Sequence, residues 1–228
     1  MKQSNVKSKG PFASKFVLIT MLGCLSSFSV ANAEPLYSKG DWLFGLNAAK
    51  VFTNETLDSI SAGGAPISGA GLDITDDTTL TFDVSYFFNS SLALNFFGGF
   101  PATANLTGTG SLGGVPVGET KYGPAILSLQ YHFPTNSSVS PYVGAGIARI
   151  LFLEEQGDAL ADFDLKDAWA PAVQVGMRYQ MSDNWFANAD IRYTPFETDI
   201  SGTLGGAPVR GKVSVDPTIL NIGIAYRF

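Results

Sequence analysis

The sequence predicts an all-β fold: an eight-stranded antiparallel transmembrane β-barrel with short periplasmic turns and long extracellular loops. Three observations predict it. Apolar and polar residues alternate with a period of two through eight segments, the mark of strands with two unlike faces. The connections between those segments are alternately short and long, as in barrels that cross an outer membrane. Aromatic side chains on the apolar faces collect at two heights, as lipid-facing girdles do.

The leading segment is removed before the fold is considered. Lys2, Lys7, Lys9 and Lys15 precede a mostly apolar stretch, Phe16 to Val30, and Ala31-Asn32-Ala33 places small residues where a signal peptidase reads. Residues 1–33 therefore read as a cleavable signal peptide and 34–228 as the barrel. Cys24 lies inside the apolar stretch. Acylation there is the weaker alternative, because apolar sequence continues beyond it. The whole chain carries 14 Lys+Arg against 20 Asp+Glu. Losing four lysines leaves the exported chain with twice as many acids as bases, which argues against nucleic acid as a partner. With one Cys and one His in 228 residues, an internal disulfide and a His/Cys zinc site are both excluded. No cofactor and no metal ion are expected.

The strands follow in order. The first shows Trp42, Phe44, Leu46 and Ala48 on its apolar face. The second, Thr79 to Phe88, sets Leu80, Phe82, Val84, Tyr86 and Phe88 against Thr79, Thr81, Asp83 and Ser85. The third presents Leu92, Leu94, Phe96 and Phe100, and the fourth Leu127, Leu129, Tyr131 and Phe133. In the fifth, Pro141 to Phe152, Gly144-Ala145-Gly146 fits either face. Placing Arg149 inside leaves Tyr142, Ile150 and Phe152 outside. The sixth presents Trp169, Val173, Val175, Met177 and Tyr179. Trp185, Ala187, Ala189, Ile191 and Tyr193 follow in the seventh, and Leu220, Ile222, Ile224, Tyr226 and Phe228 in the eighth. Asn89 to Ser91, Pro134 to Ser140 and Ser182 to Asn184 are the short connections. Phe52 to Asp77, Ala102 to Thr120, Leu153 to Lys166 and Phe196 to Val215 are the long ones. Eight strands closed on themselves leave no unpaired edge in lipid.

The carboxy-terminal third, with Leu165-Lys166-Asp167-Ala168-Trp169, Gln174-Val175-Gly176, Asn184-Trp185, Leu204-Gly205-Gly206-Ala207, Asp216-Pro217 and the closing Ala225-Tyr226-Arg227-Phe228, resembles the outer-membrane protein W (OmpW) family; Pro141-Tyr142-Val143-Gly144-Ala145-Gly146 matches as well. The resemblance implies an eight-stranded barrel with a narrow hydrophobic channel that admits small apolar molecules such as alkanes. This chain departs from the pattern at Thr218 and in two charges read as inward, Arg149 and Arg192.

Function lives in the lumen, since a barrel by itself is only architecture. Toward the long-loop end the inward residues are Ala49, Val51, Phe97, Ile126, Ile147, Ala170, Ala172 and Ile219, the expected lining for a solute. Toward the turn end they are polar: Ser85, Gln130, His132, Gln174, Arg178, Gln180, Asn188, Asn221 and Arg227. Asp83 and Asp190 lie between, within reach of Arg178 and Arg192 as ion-pair partners. The pattern is an apolar funnel above a polar plug. A solute burying roughly 150–200 Å² of apolar area gains about 4–5 kcal/mol before binding costs, which suits weak, releasable binding. The alternative is a filled interior with the long loops as the functional surface.

Pro101, Pro124, Pro171, Pro195 and Pro217 fall at the long-loop ends of strands and lack the N–H of a ladder hydrogen bond. Pro124, Pro171, Pro195 and Pro217 are therefore candidates for a lateral exit into the outer leaflet. Gly63-Gly64-Ala65-Pro66, Gly113-Gly114-Val115-Pro116 and Gly205-Gly206-Ala207-Pro208 read as hairpin tips, so strands are expected to project beyond the membrane. Gly108-Thr109-Gly110-Ser111-Leu112-Gly113 spells G-x-G-x-x-G but has no helix to open, so it reads as a glycine-rich loop. His132 reads as a hydrogen-bonded lumen residue rather than a catalytic one. Glu154 to Asp167 carries six acids against Lys166, and the first loop adds Glu55, Asp58, Asp73, Asp76 and Asp77. A solvated acidic surface is the reading, with cations bridging to lipopolysaccharide phosphates as the alternative. The expected partners are small hydrophobic molecules, outer-membrane lipids and lipopolysaccharide, and the barrel-assembly machinery through the Phe228 strand.

Overall fold

The computed structural model describes residues 35–228; the expected signal peptide and Cys24 lie outside the described residues. Fifteen strands follow one another: β1 (Trp42–Phe52), β2 (Glu55–Ala62), β3 (Ala65–Pro66), β4 (Ala70–Ile74), β5 (Asp77–Phe87), β6 (Leu92–Gly99), β7 (Ala102–Gly110), β8 (Pro116–His132), β9 (Val139–Gly157), β10 (Ala161–Leu165), β11 (Ala168–Gln180), β12 (Trp185–Tyr193), β13 (Phe196–Leu204), β14 (Ala207–Val215) and β15 (Thr218–Arg227). Eight of them form the membrane wall in the order β8, β6, β5, β1, β15, β12, β11, β9, and the β8–β9 pairing closes the ring. Every neighbouring pair in this wall is antiparallel.

The expected long loops are largely strand. β4 and β7 pair alongside the upper part of β8, while β10, β13, β14, β2 and β3 form a second sheet. Together they continue the wall outward as a collar. Six wall strands break at one level before continuing into it, at Thr53-Asn54, Thr75-Asp76, Phe100-Pro101, Lys166-Asp167, Thr194-Pro195 and Asp216-Pro217. Proline withholds a donor in three of these breaks. Side chains satisfy neighbouring groups: the Thr53 and Phe152 amides donate to Asp76 and Asp167, each at 3.0 Å, and the Thr103 amide to Asp77 at 2.7 Å. Only β8 and β9 run through, with a register shift at Lys121/Tyr122. The hairpin tips are where the double glycines stand. Gly63-Gly64 and Gly205-Gly206 have positive φ at both positions and join the pairs Ala62↔Ala65 and Leu204↔Ala207, as a two-residue primed turn requires.

The outward faces carry Trp42, Leu46, Leu80, Leu129, Val175 and Ile222, all exposed to what must be hydrocarbon. Trp42 packs on Tyr86 and Trp185 on Tyr226, with ring centroids 4.9 and 5.0 Å apart, in the periplasmic girdle.

One strand faces opposite to expectation. In β9 it is Tyr142, Ala148 and Ile150 that point inward, whereas Val143, Ala145 and Arg149 point outward and Ile147, expected in the lumen, is 56% exposed on the lipid face. Glycines set the choice. Tyr142 lies opposite Gly176 in register, and a Cβ there would come within 2.6 Å of the phenol ring. At Gly144 a Cβ would come 2.5 Å from the Gln174 amide nitrogen. The inner face of β9 thus has no side chain where Gln174 must lie. Outside, Arg149 pairs with Asp167 at 3.0 Å and lies over Trp169, where a guanidinium reaches the headgroup layer.

Candidate functional site: a bore in two parts

The periplasmic mouth is sealed by the segment preceding β1. Tyr37 is 1% exposed and stacks on Phe87 with a centroid distance of 4.1 Å, with Phe186 and His132 next to it. Arg227 anchors this segment by donating to the Leu36 carbonyl and lying 3.7 Å from Asp41. Burial raises the Tyr37 phenol above its ordinary pKa of 10.0, with Arg178 opposing the shift.

Above the seal lies a layer of buried charge. Arg178 donates to Asp83 at 3.0 Å, and Asp83 also accepts from Asn47 and Asn95, each at 3.1 Å. Arg192 donates to Asp190 at 2.9 Å and to the side-chain Oδ1 of Asn95 at 3.2 Å. Asp190 accepts further from Asn221, Asn188 and Tyr142. Gln174 donates to Ser128 at 2.8 Å; His132 bridges Ser140 at 3.0 Å and Gln130 at 3.3 Å. Two carboxylates and two guanidiniums make the layer neutral, and hydrogen bonds occupy most of the carboxylate lone pairs, the condition under which charge is tolerated out of water. All six residues expected in a polar plug, Asp83, Gln130, Gln174, Arg178, Asp190 and Arg192, are brought together here. Asn47, Asn95, Tyr37 and Tyr142 complete the layer and were not foreseen. The two asparagines follow from the alternation once Ala49 and Phe97 are set inward.

Phe97 roofs the plug, with the Arg192 guanidinium 4.0 Å from its ring centroid. Over it three cavities follow one another. The lowest, about 30 Å³, is bordered by Val51, Thr81, Phe97, Ile150 and Ile219. A second of similar size is bordered by Leu72, Ala104, Leu106, Leu165, Val213 and Val215. The uppermost, about 230 Å³, is bordered by Leu57, Ile60, Leu160, Ile200 and Val209 at the collar mouth. Tyr122, Phe196 and Pro217 line both lower cavities, and Leu72 lines both upper ones, so the three succeed one another along an apolar passage partitioned by these shared side chains. Of the residues expected to line a lumen, Val51, Phe97 and Ile219 border this passage. Ala49, Ile126, Ala170 and Ala172 are buried in the packed interior below or beside it. The Gly-Gly tips predict strands that project beyond the membrane, as found, but not which of their residues face inward. The signal was present: Ala102, Ala104 and Leu106 alternate with polar residues, as do Val209, Val213 and Val215.

The wall is interrupted beside the lowest cavity. The β6–β8 ladder stops at Phe97↔Ile126 and the β7–β8 ladder starts at Ala102↔Tyr122. Between them Phe100 turns toward β5: its amide donates to the Leu80 carbonyl and its own carbonyl accepts from Thr79, both at 2.9 Å. Among the described residues, Gly123, Pro124 and Ala125 of β8 are left without ladder partners on that side. Gly99, Phe100, Gly123 and Pro124 border the cavity. A second interruption stands above the start of the β11–β12 ladder at Val173↔Tyr193. There Pro171 sits on the lipid face of an unbroken β9–β11 ladder, and neither Pro171 nor Pro195 borders any of the three cavities. Pro171 thus lies within this second interruption, paired with β9 but not with β12. The prolines separate: Pro124 borders the lowest cavity where the β6–β8 ladder has ended, Pro217 is buried in the lining, and Pro171 and Pro195 border none of the three cavities.

The OmpW family model matches residues 38–228, nearly all of the described chain. The chain belongs to the OmpW family. Among the relatives of this OmpW-family barrel, outer membrane protein AlkL of Ectopseudomonas oleovorans is 48% identical over 193 residues, 84% of each chain. The dibenzothiophene metabolism operon protein PahQ of Pseudomonas aeruginosa is 32% identical, covering 92% of this chain and 97% of its own. In three dimensions the crystal structure of outer membrane protein OprG from Pseudomonas aeruginosa superposes with a TM-score of 0.77 at 25% identity, over 84% of this chain and 97% of that one. The solid-state NMR structure of AlkL in lipid bilayers gives 0.69 at 47%, over 87% and 94%. This OmpW-family chain is accordingly an outer-membrane barrel, eight-stranded and antiparallel, and its relatives are outer-membrane proteins of the same build.

Proposed function

We propose that this barrel passively admits small hydrophobic molecules through the collar and releases them sideways into the outer leaflet at the β6–β8 opening. The observation that carries this reading is where the apolar passage ends. It descends from the collar mouth and stops on Phe97 above a filled, charged layer, next to the opening at Gly123 and Pro124. An apolar solute that reached Phe97 and continued downward would have to break buried ion pairs, at a cost of several kcal/mol. Moving sideways into hydrocarbon has no such cost. A relative named for dibenzothiophene metabolism fits an apolar, uncharged cargo. The same reading places outer-membrane lipids on the exposed belt, lipopolysaccharide around the acidic collar, and the barrel-assembly machinery at the exposed Phe228.

The test is uptake of a labelled n-alkane by cells producing the barrel. A Cβ on Gly123 would meet only the Pro101 Cα, at 4.0 Å, so this position has room for a side chain, and Gly123→Trp places bulk at the opening. We expect it to slow uptake at least fivefold, and Phe97→Trp to slow it as well. Pro171→Val, on the unbroken ladder, is expected to leave uptake within twofold. Equal uptake by the wild type, Gly123→Trp and Phe97→Trp would favour a barrel whose acidic collar is its working surface.

A further inference from the structure

Three hydroxyls interrupt the apolar passage at its waist. Thr120 and Tyr122 lie two apart on the inner face of β8, and Thr194 follows the end of β12. All three are buried, Thr194 completely, and none of their hydroxyl oxygens has a hydrogen-bond partner. Tyr122 borders both lower cavities, Thr120 the one above and Thr194 the one below. Other threonines at this level are satisfied: Thr53 donates to the Ile74 carbonyl at 2.9 Å and Thr198 to the Lys166 carbonyl at 2.7 Å. Unpartnered atoms also occur in the plug, on Gln130, Gln174, Arg178 and Arg192. Those sit in the packed plug, whereas Thr120, Tyr122 and Thr194 border the two lower cavities.

A hydroxyl buried among apolar groups without a partner is costly, so a solute that supplies the partner is favoured over one that does not. The surroundings narrow the class of solute. No Lys or Arg lines either lower cavity. A phenol keeps its proton at neutral pH, so Tyr122 remains a donor, and without a cation nearby a carboxylate would be left unpaired. We propose that Thr120, Tyr122 and Thr194 form a hydrogen-bonding station in the passage, which selects neutral apolar molecules carrying one oxygen, a ketone or an alcohol, over plain hydrocarbons and over carboxylates. This station rests on the reading of the passage as a solute route and names the solute class that the route prefers.

The test compares uptake of n-undecane, 2-undecanone and undecanoate by cells producing the full-length barrel, its Tyr122→Phe/Thr194→Val form, or its Thr120→Val form. Folding of each variant is checked by heat-modifiable mobility. The ketone-to-alkane ratio of wild type divided by that of a variant cancels the different partitioning of the two probes. One neutral hydrogen bond corresponds to roughly a tenfold ratio. We expect the double variant to lower the ketone-to-alkane ratio about five- to tenfold and the single variant to lower it less. A ratio unchanged within twofold in both variants, while alkane and ketone still enter faster than in cells lacking the barrel, overturns the station and leaves the route standing. Undecanoate entering as fast as the ketone also overturns it. Entry of neither neutral probe above the barrel-free background overturns the station and the route together.

Discussion

The eight wall strands and the collar that continues them, with the same alternation, build a bore whose periplasmic part holds buried charge and whose extracellular part is lined with hydrocarbon. Between the aromatic seal and Phe97 the bore is crossed by Asp, Asn, Gln, Arg and His, joined by hydrogen bonds between residues far apart in the chain. Above it they are Val, Ile, Leu, Ala and Phe, held by contact alone and leaving space between them. The difference follows from what each kind of side chain can do in a narrow tube. Polar groups withdrawn from water need partners at about 3 Å, so they draw together until the lumen is full. Apolar groups have no directional partners, and a wall held apart by its backbone ladder cannot collapse to bring them closer. The plug is therefore rigid and closed, and the passage above it adaptable.

The largest effect should come from breaking the plug on one side only. Asp83→Ala leaves the Arg178 guanidinium buried with Ser85 as its remaining hydrogen-bond acceptor and the Tyr142 ring nearby. Removing one partner of a buried pair costs about 3–5 kcal/mol, whereas replacing both by apolar groups is often close to neutral. Denaturant unfolding in detergent should show Asp83→Ala destabilised by about that amount, with most of it recovered in Asp83→Leu/Arg178→Leu. A double variant as unstable as the single one would show that the layer is held by more than its ion pairs.

The two halves were not equally legible in the sequence. Alternation fixes which side of a strand a residue faces, so Asp83, Asp190, Arg178 and Arg192 could be set in the lumen and paired from their types and heights alone. β9 resisted because glycine carries no face preference: with Gly144 and Gly146 in its middle, the pattern admits two registers, and only the place of Tyr142 against Gly176 decides. That is a contact across strands, which spacing along one strand does not contain. The collar's lining was missed for a different reason. Its strands are short, separated by two-residue breaks, and rich in Gly, Thr and Ser, so each looks like loop although Val209, Val213 and Val215 already alternate. The opening beside Pro124 depends on where two ladders stop, and a proline marks such a place without fixing which neighbour withdraws.

A smaller effect distinguishes packed wall from open wall. At Gly176 an added methyl would press on the Tyr142 ring and on Asp190 at 2.6–2.7 Å, inside the filled half. At Gly123 it would meet nothing closer than 4.0 Å. Overpacking of a tight interior costs typically about 1–3 kcal/mol, so Gly176→Ala should lower stability by that much in the same unfolding assay. Gly123→Ala should fall within about 0.5 kcal/mol of wild type, as substitutions away from packed features do. Equal costs at the two sites would remove the distinction between a filled and a hollow half.

The smallest effect concerns the periplasmic seal and is read from its dependence on pH. Tyr37 is buried as a neutral phenol, and burial raises its pKa above the ordinary 10.0. Between that ordinary value and the folded one, the sealed form holds a proton that the released form has lost, so the free energy of sealing declines as pH rises. The contribution is complete below pH 10.0 and disappears as pH passes the folded value. Lys39 lies two residues on, in the exposed part of the segment, and offers a protease site that opens only when the segment leaves the mouth. Cleavage after Lys39, sampled by brief lysine-specific digestion following incubation at each pH and rapid return to neutrality, should stay slow up to about pH 10 and accelerate above it. Tyr37→Phe keeps the stack on Phe87 and removes the titrating group, so it should stay protected through the alkaline range. Acceleration at the same pH in Tyr37→Phe would show that ionisation of the phenol is not what releases the segment.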